Sequence, residues 1–140
     1  MAGYSGTPLV RKLGLKPGAA FAVEDAPPGF DATLGALPDG AVRIAAAGAL
    51  VDVLIAFHRT RHELEASFTR QARRVVPSGA YWIAWPKRSS GVPTDLTEDA
   101  LREIGLPAGM VDNKVCAIDA TWSGLRFVVR RENRASWPPW

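Results

Sequence analysis

Six consecutive residues, Ala80-Tyr81-Trp82-Ile83-Ala84-Trp85, carry three large aromatic rings and no charge. Aromatic and β-branched side chains in such a run suit a pleated surface covered by other elements. The rest of the chain must therefore supply that cover. Val75-Val76-Pro77-Ser78-Gly79 precedes the run and Pro86-Lys87 follows it. Proline lacks the N–H that a continuing helix needs, and glycine tolerates the backbone that ends one. The pattern predicts a helix ending at Pro77, a turn at Ser78-Gly79, a central strand over Ala80–Trp85 and a basic loop opening at Lys87.

Upstream, Thr7-Pro8 reads as an N-cap with proline at the first helical position, and Gly14 as the stop. Short strands are predicted at Ala20–Glu24 and Val42–Ala47, with a helical turn in Phe30–Leu37 and turns at Ala26-Pro27-Pro28-Gly29 and Pro38-Asp39-Gly40. Val51–His58 is the clearest strand, because Val53-Leu54-Ile55-Ala56-Phe57 is continuously apolar, as in a parallel strand buried on both faces. Thr60 and Glu63 match a capping box. Leu64, Phe68, Ala72 and Val75 then recur at helical spacing opposite Glu65, Arg70, Arg73 and Arg74, which predicts an amphipathic helix laid on the sheet.

Downstream, Thr97 reads as a cap, Leu96 and Leu101 as a hydrophobic staple, and Gly105 as the end of the helix. Val115–Asp119 and Leu125–Arg130 predict a hairpin about Trp122-Ser123-Gly124, with Leu125, Phe127 and Val129 on its covered face. Glu132–Trp140 reads as a basic and aromatic tail. The expectation is one domain over residues 1–131: an α/β fold with a small, mostly parallel sheet, helices on its faces and a C-terminal antiparallel hairpin.

Composition narrows the function classes. The net charge of +3 permits acidic partners without requiring them. One cysteine, Cys116, excludes an internal disulfide and fits a cytoplasmic protein. No run has the length of a membrane span, and the first residues lack the apolar core of a signal peptide. Dinucleotide and P-loop glycine motifs are absent.

The order of elements resembles the class I S-adenosylmethionine-dependent methyltransferase (Rossmann-like) fold over roughly 51–129. Asp52-Val53-Leu54-Ile55 is similar to a strand that many of these enzymes open with an acid, and Val76-Pro77-Ser78-Gly79-Ala80-Tyr81 to their entry into the next one. The chain resembles more closely an uncharacterised bacterial family, a domain of unknown function. That likeness is carried by Gly3-Tyr4-Ser5-Gly6-Thr7-Pro8-Leu9, Trp85-Pro86-Lys87, Thr94-Asp95-Leu96, Lys114–Asp119 and Thr121–Phe127. The resemblance implies an incomplete methyltransferase-like fold and no established activity. Those enzymes place a Gly-x-Gly-x-Gly turn after the first strand and an acid after the second. Here Glu24-Asp25-Ala26-Pro27-Pro28-Gly29 and Ala45-Ala46-Ala47-Gly48 stand there instead, so the expectation is that no methyl-donor cofactor binds.

The polar loop Lys87-Arg88-Ser89-Ser90-Gly91 leaves the carboxyl end of a predicted parallel strand, the edge at which open α/β sheets bind ligands. Lys87, Ser90, Gly91 and Asp95, with Lys114, Asp119 and Trp122 from the hairpin, form the candidate ligand-binding set, suited to an anionic small molecule. His58 and His62 lack a third metal ligand nearby and read as surface residues; Cys116 reads as a buried structural thiol. The leading expectation is a non-catalytic binding or regulatory module with a protein or small-molecule partner. The alternatives are an enzyme or anionic-metabolite binder with a relocated site at Lys87, Ser90, Asp95, Lys114 and Asp119, and a weak nucleic-acid binder through the tail.

Overall fold

The computed structural model describes residues 6–139. Six strands form one sheet in the order β2-β1-β3-β4-β6-β5: β1 Ala20–Glu24, β2 Val42–Arg43, β3 Val51–Phe57, β4 Val75–Pro86, β5 Met110–Ala117 and β6 Trp122–Val129. The first four are parallel, and β6 and β5 close the sheet as an antiparallel hairpin. Helices α1 (Leu9–Lys12) and α2 (Phe30–Leu34) cover one face, and α3 (Arg61–Ala72) and α4 (Glu98–Gly105) the other. The mixed α/β architecture expected from the sequence is present.

Strand β3 shows why its sequence is apolar throughout. Val53, Ile55 and Phe57 pack beneath α1 and α2, while Leu54 and Ala56 pack beneath α3 and α4. In β4, Tyr81, Ile83 and Trp85 face α3 and α4, and Trp82 and Ala84 face the other way. The indole N–H of Trp82 donates to the carbonyl of Leu13 at 2.9 Å, which satisfies a fully buried polar atom and ties α1 to the sheet.

Helix boundaries move for identifiable reasons. α3 ends at Ala72, and Arg74 donates its N–H to the Gln71 carbonyl, so Pro77 does not terminate it. Pro77 lies inside β4, at a break in register where pairing jumps from Val51–Val75 to Val53–Ala80. A bulge is where a sheet tolerates proline. Gly79 is required in that bulge because a Cβ there would collide with the Asp52 carbonyl. α1 is capped by Pro8 without a side-chain bond, so Thr7 is not its cap, whereas Gly14 stops it at φ 77°. Thr97 caps α4 by accepting from Ala100 N–H at 3.1 Å. The capping box of α3 is half formed: Thr60 accepts from Glu63 N–H, but the Glu63 carboxylate reaches Arg59 N–H, one residue further back.

The hairpin turn is Ile118–Thr121, not Trp122–Gly124. The N–H groups of Ile118 and Asp119 donate to the Trp122 carbonyl, and Trp122 already begins β6. Gly124 reads like a turn residue but is a packing residue, since a Cβ would stand 3.1 Å from the Trp82 ring. Strand β2 keeps only two residues of the six expected. Beyond β6, Arg131–Ser136 forms a 3₁₀ helix; Asn133 donates to Gly109 O at 3.1 Å, and Trp137 packs against the core beneath α3 and α4.

Gly105 sits inside the last turn of α4 and does not end it by a left-handed conformation. It lies against the buried Phe127 ring, whose Cδ1 would be 2.9 Å from an added Cβ. Alanine raises helix propensity by about 1 kcal/mol over glycine, but overpacking a core costs roughly 1–3 kcal/mol. Gly105→Ala is therefore expected to lower the urea midpoint of unfolding; a raised midpoint would show that α4 is not seated on Phe127.

Candidate functional site at the carboxyl edge of the sheet

The parallel strands end at one edge, which receives Glu24-Asp25 from β1, His58-Arg59 after β3 and Lys87-Arg88 after β4. The β5–β6 turn joins them, because Pro86 pairs with Trp122 and Lys87 N–H donates to Thr121 O at 2.8 Å. A polar groove of about 850 Å³ opens there, lined by Lys87, Arg88, Gly91, Asp95, Glu98 and Arg102 among others.

The groove brings together only part of the candidate set. Lys87 and Arg88 line it and make no side-chain bond among the described residues. Ser90 is not a lining residue: its Oγ donates to Lys87 O at 2.7 Å and accepts from Val92 N–H at 3.1 Å, which closes the turn before Gly91. Asp95 accepts from Arg61 N–H at 2.7 Å and so satisfies an orphan donor of α3. Asp119 accepts from the N–H groups of Thr121 and Trp122, both at 2.8 Å, which fixes the hairpin turn. Lys114 lies on β5 and donates to Lys12 O at 3.0 Å. Trp122 is buried against Phe57, with the Arg59 guanidinium 5.3 Å from its ring centroid. Arg102 is held by Glu98 at 2.9 Å, Asp99 at 3.2 Å and Asp112 at 3.1 Å. The groove's three cations thus face three carboxylates, Asp95, Glu98 and Asp99.

The spacing of residues did not announce a buried polar network behind this edge. His58, expected at the surface, is 3% exposed. Its Nε2 is 3.1 Å from Gln71 Oε1, which also accepts from the Tyr81 hydroxyl. The Gln71 amide donates to Glu24 Oε1 at 3.3 Å, and Glu24 also accepts from Arg70 and Arg74, each at 3.0 Å. Arg74, 7% exposed at its side chain, further donates to the carbonyls of Ala46 and Ala49. One signal was available: Gln71 falls on the apolar face set by Leu64, Phe68 and Ala72, and a polar residue there must find buried partners.

Burial holds His58 below its ordinary value of 6.5, against the opposing hydrogen bond from Gln71 and the carboxylates of Asp25, Glu63 and Glu24. Burial pushes Glu24 up, but bonds from Arg70, Gln71 and Arg74 outweigh it and leave the carboxyl below its ordinary 4.5. Among the described residues no group of three metal-ligating side chains is assembled. No helix there is long and apolar enough to cross a membrane.

Two outcomes follow. In acid the unfolded chain protonates His58 before the folded chain does, so stability falls as pH drops below 6.5; Glu24 adds stability that is lost as pH falls through its lowered value. Urea midpoints should decline in two stages, and His58→Gln should remove the first; a first stage that persists in this variant would contradict the assignment. Separately, Asp95→Ala should cost about 1 kcal/mol of stability, as loss of a helix cap does. An unchanged midpoint would free Asp95 for a ligand.

No family model matches the chain, and neither does any curated protein. Solved structures do match. A SAM dependent methyltransferase from Aquifex aeolicus aligns at TM-score 0.56 and 14% identity, over 86% of this chain and 88% of that one. Magnesium protoporphyrin IX methyltransferase (ChlM) from Synechocystis with bound SAM aligns at 0.55 and 12%, over 86% and 74%. TrmN from Thermus thermophilus aligns at 0.52 and 13%, over 86% of this chain but 47% of its own, so the chain spans about half the length of TrmN. At these identities the likeness is one of fold: a methyltransferase-like, Rossmann-like sheet.

Proposed function

We propose that the protein is a non-catalytic binding or regulatory module on a methyltransferase-like fold. The observation that carries the reading is the fate of the β1 terminus. The Glu24 carboxylate is turned onto α3 and is shared by Arg70, Gln71 and Arg74. The turn after it contains Pro27 and Pro28, which offer no N–H, and Asp25 takes φ 57° where glycine is the usual occupant. After β2, Ile44–Gly48 carries no carboxylate. These residues do not fit S-adenosylmethionine, whose ribose hydroxyls need a free carboxylate as acceptor and whose amino-acid end needs close approach of the backbone. The likeness to the uncharacterised bacterial family and a cytoplasmic location belong to the same proposal; the single thiol, Cys116, is compatible with the location.

Titration calorimetry with S-adenosylmethionine is expected to show no saturable binding. Micromolar binding accompanied by methyl transfer to any acceptor would overturn the reading.

A second reading, an anionic-metabolite binder or an enzyme with a relocated site, draws support from Lys87 and Arg88. Both line the 850 Å³ groove without side-chain partners among the described residues. It requires phosphorylated metabolites to raise the melting temperature of the wild type more than that of Lys87→Ala. Equal shifts in the two proteins would remove it.

A further inference from the structure

The ladder between β1 and β2 covers only Ala20 and Phe21, after which the chain crosses to β3 through residues 44–50 with no helix. Parallel strands are ordinarily joined by a dozen or more residues, usually helical. The short crossing leaves a notch beside the upper part of β1. One hollow of about 340 Å³ is lined by Val23, Glu24, Ile44, Gly48, Arg70 and Arg74 among others. A second, of about 510 Å³, shares Gly48, Arg70 and Arg74 with the first and adds Arg73. Arg43 borders the first hollow, but its guanidinium is bound to Asp31 of α2 at 2.6 Å.

The charge in this notch is one-sided. Across the two hollows Arg70, Arg73 and Arg74 stand against the single carboxylate of Glu24, which lines the first hollow and bonds Arg70 and Arg74, a local excess of two positive charges in a chain whose formal net charge is +3. The other acids of α3 are engaged elsewhere: Glu65 with Arg61, and Glu63 with Arg59 N–H. Arg74 is a positioning residue, because its three bonds to Glu24, Ala46 and Ala49 brace the crossing segment against α3. Arg70 gives one bond to Glu24 and remains 62% exposed. Arg73 is exposed and has no side-chain partner among the described residues. Cations at a helix C-terminus offset its dipole. That accounts for basic residues at this end of α3, but not for their convergence on a notch that the protein keeps open.

We propose that the notch binds the phosphate group of a small phosphorylated molecule, with Arg70 and Arg73 as its ligands and the backbone near Gly48 as the opposite wall. Arginine presents planar paired donors that match phosphate oxygens. The hollows are of small-ligand size, and no aromatic residue lines them for bases of a nucleic-acid strand to stack on. The proposal does not depend on the methyl-donor argument above.

The test is a two-dimensional amide NMR titration of the full chain at low salt with inorganic phosphate, with adenosine monophosphate, and with a short oligothymidylate. The first two are expected to shift the Gly48 amide saturably. Arg73→Ala, which removes no internal bond, should weaken that binding about tenfold, as expected for one charge-assisted contact, and Lys87→Ala should leave it unchanged. The proposal fails if neither phosphate nor the nucleotide shifts Gly48 saturably, or if Arg73→Ala binds like the wild type. It also fails if Lys87→Ala abolishes the shift, or if only the oligothymidylate saturates.

Discussion

One buried carboxamide holds the covering layer to the sheet. Gln71 Oε1 meets the hydroxyl of Tyr81 on β4 and the imidazole of His58 after β3, and its amide meets Glu24 on β1. α3 is thereby fixed to three parallel strands at once. Because the amide oxygen can only accept, His58 must carry a proton on Nε2, so that both partners donate to the same oxygen. Each of these groups would cost free energy if buried alone. Together they form a satisfied network, which fixes α3 on the sheet alongside the apolar contacts of Leu64 and Phe68.

That network has a functional consequence. A carboxylate at the end of the first strand is well placed to receive a ligand at the carboxyl edge of an open α/β sheet. In this chain the carboxylate is directed onto the helix layer, where Arg74 carries its restraint on to the crossing segment at Ala46 and Ala49. The sheet has a methyltransferase-like fold, and its first-strand acid is bonded by Arg70, Gln71 and Arg74. The same arrangement leaves Arg73 and most of Arg70 facing solvent beside the notch, so one set of contacts both engages the edge acid and builds the basic hollow.

Much of the architecture was legible in the residues. The continuous apolar run of β3, the caps at Thr60 and Thr97, and the alternation Leu125-Phe127-Val129 each reflect a local rule that the fold obeys. The errors fall where tertiary packing reassigns a punctuating residue. Pro77 sits in a bulge, and Gly105 and Gly124 are small because Phe127 and Trp82 press against them. No local pattern distinguishes such a glycine from a turn glycine. The candidate site was less legible, because Ser90, Asp95 and Asp119 have side chains that serve either a ligand or nearby backbone, and here they bond backbone. The Gln71 network joins residues from four elements, and only Gln71 itself, on an apolar face, hinted at it.

Equilibrium unfolding of Glu24→Gln tests the central claim most directly. The substitution preserves shape but removes the charge that Arg74 needs while buried at 7% exposure. If Glu24 is a structural counter-ion, stability should fall by about 2–3 kcal/mol, the scale of hydrogen bonds to charged groups lost in a buried setting. An unchanged or raised stability would mean that the carboxylate is held there at a cost, as a ligand-binding group would be, and would contradict the account.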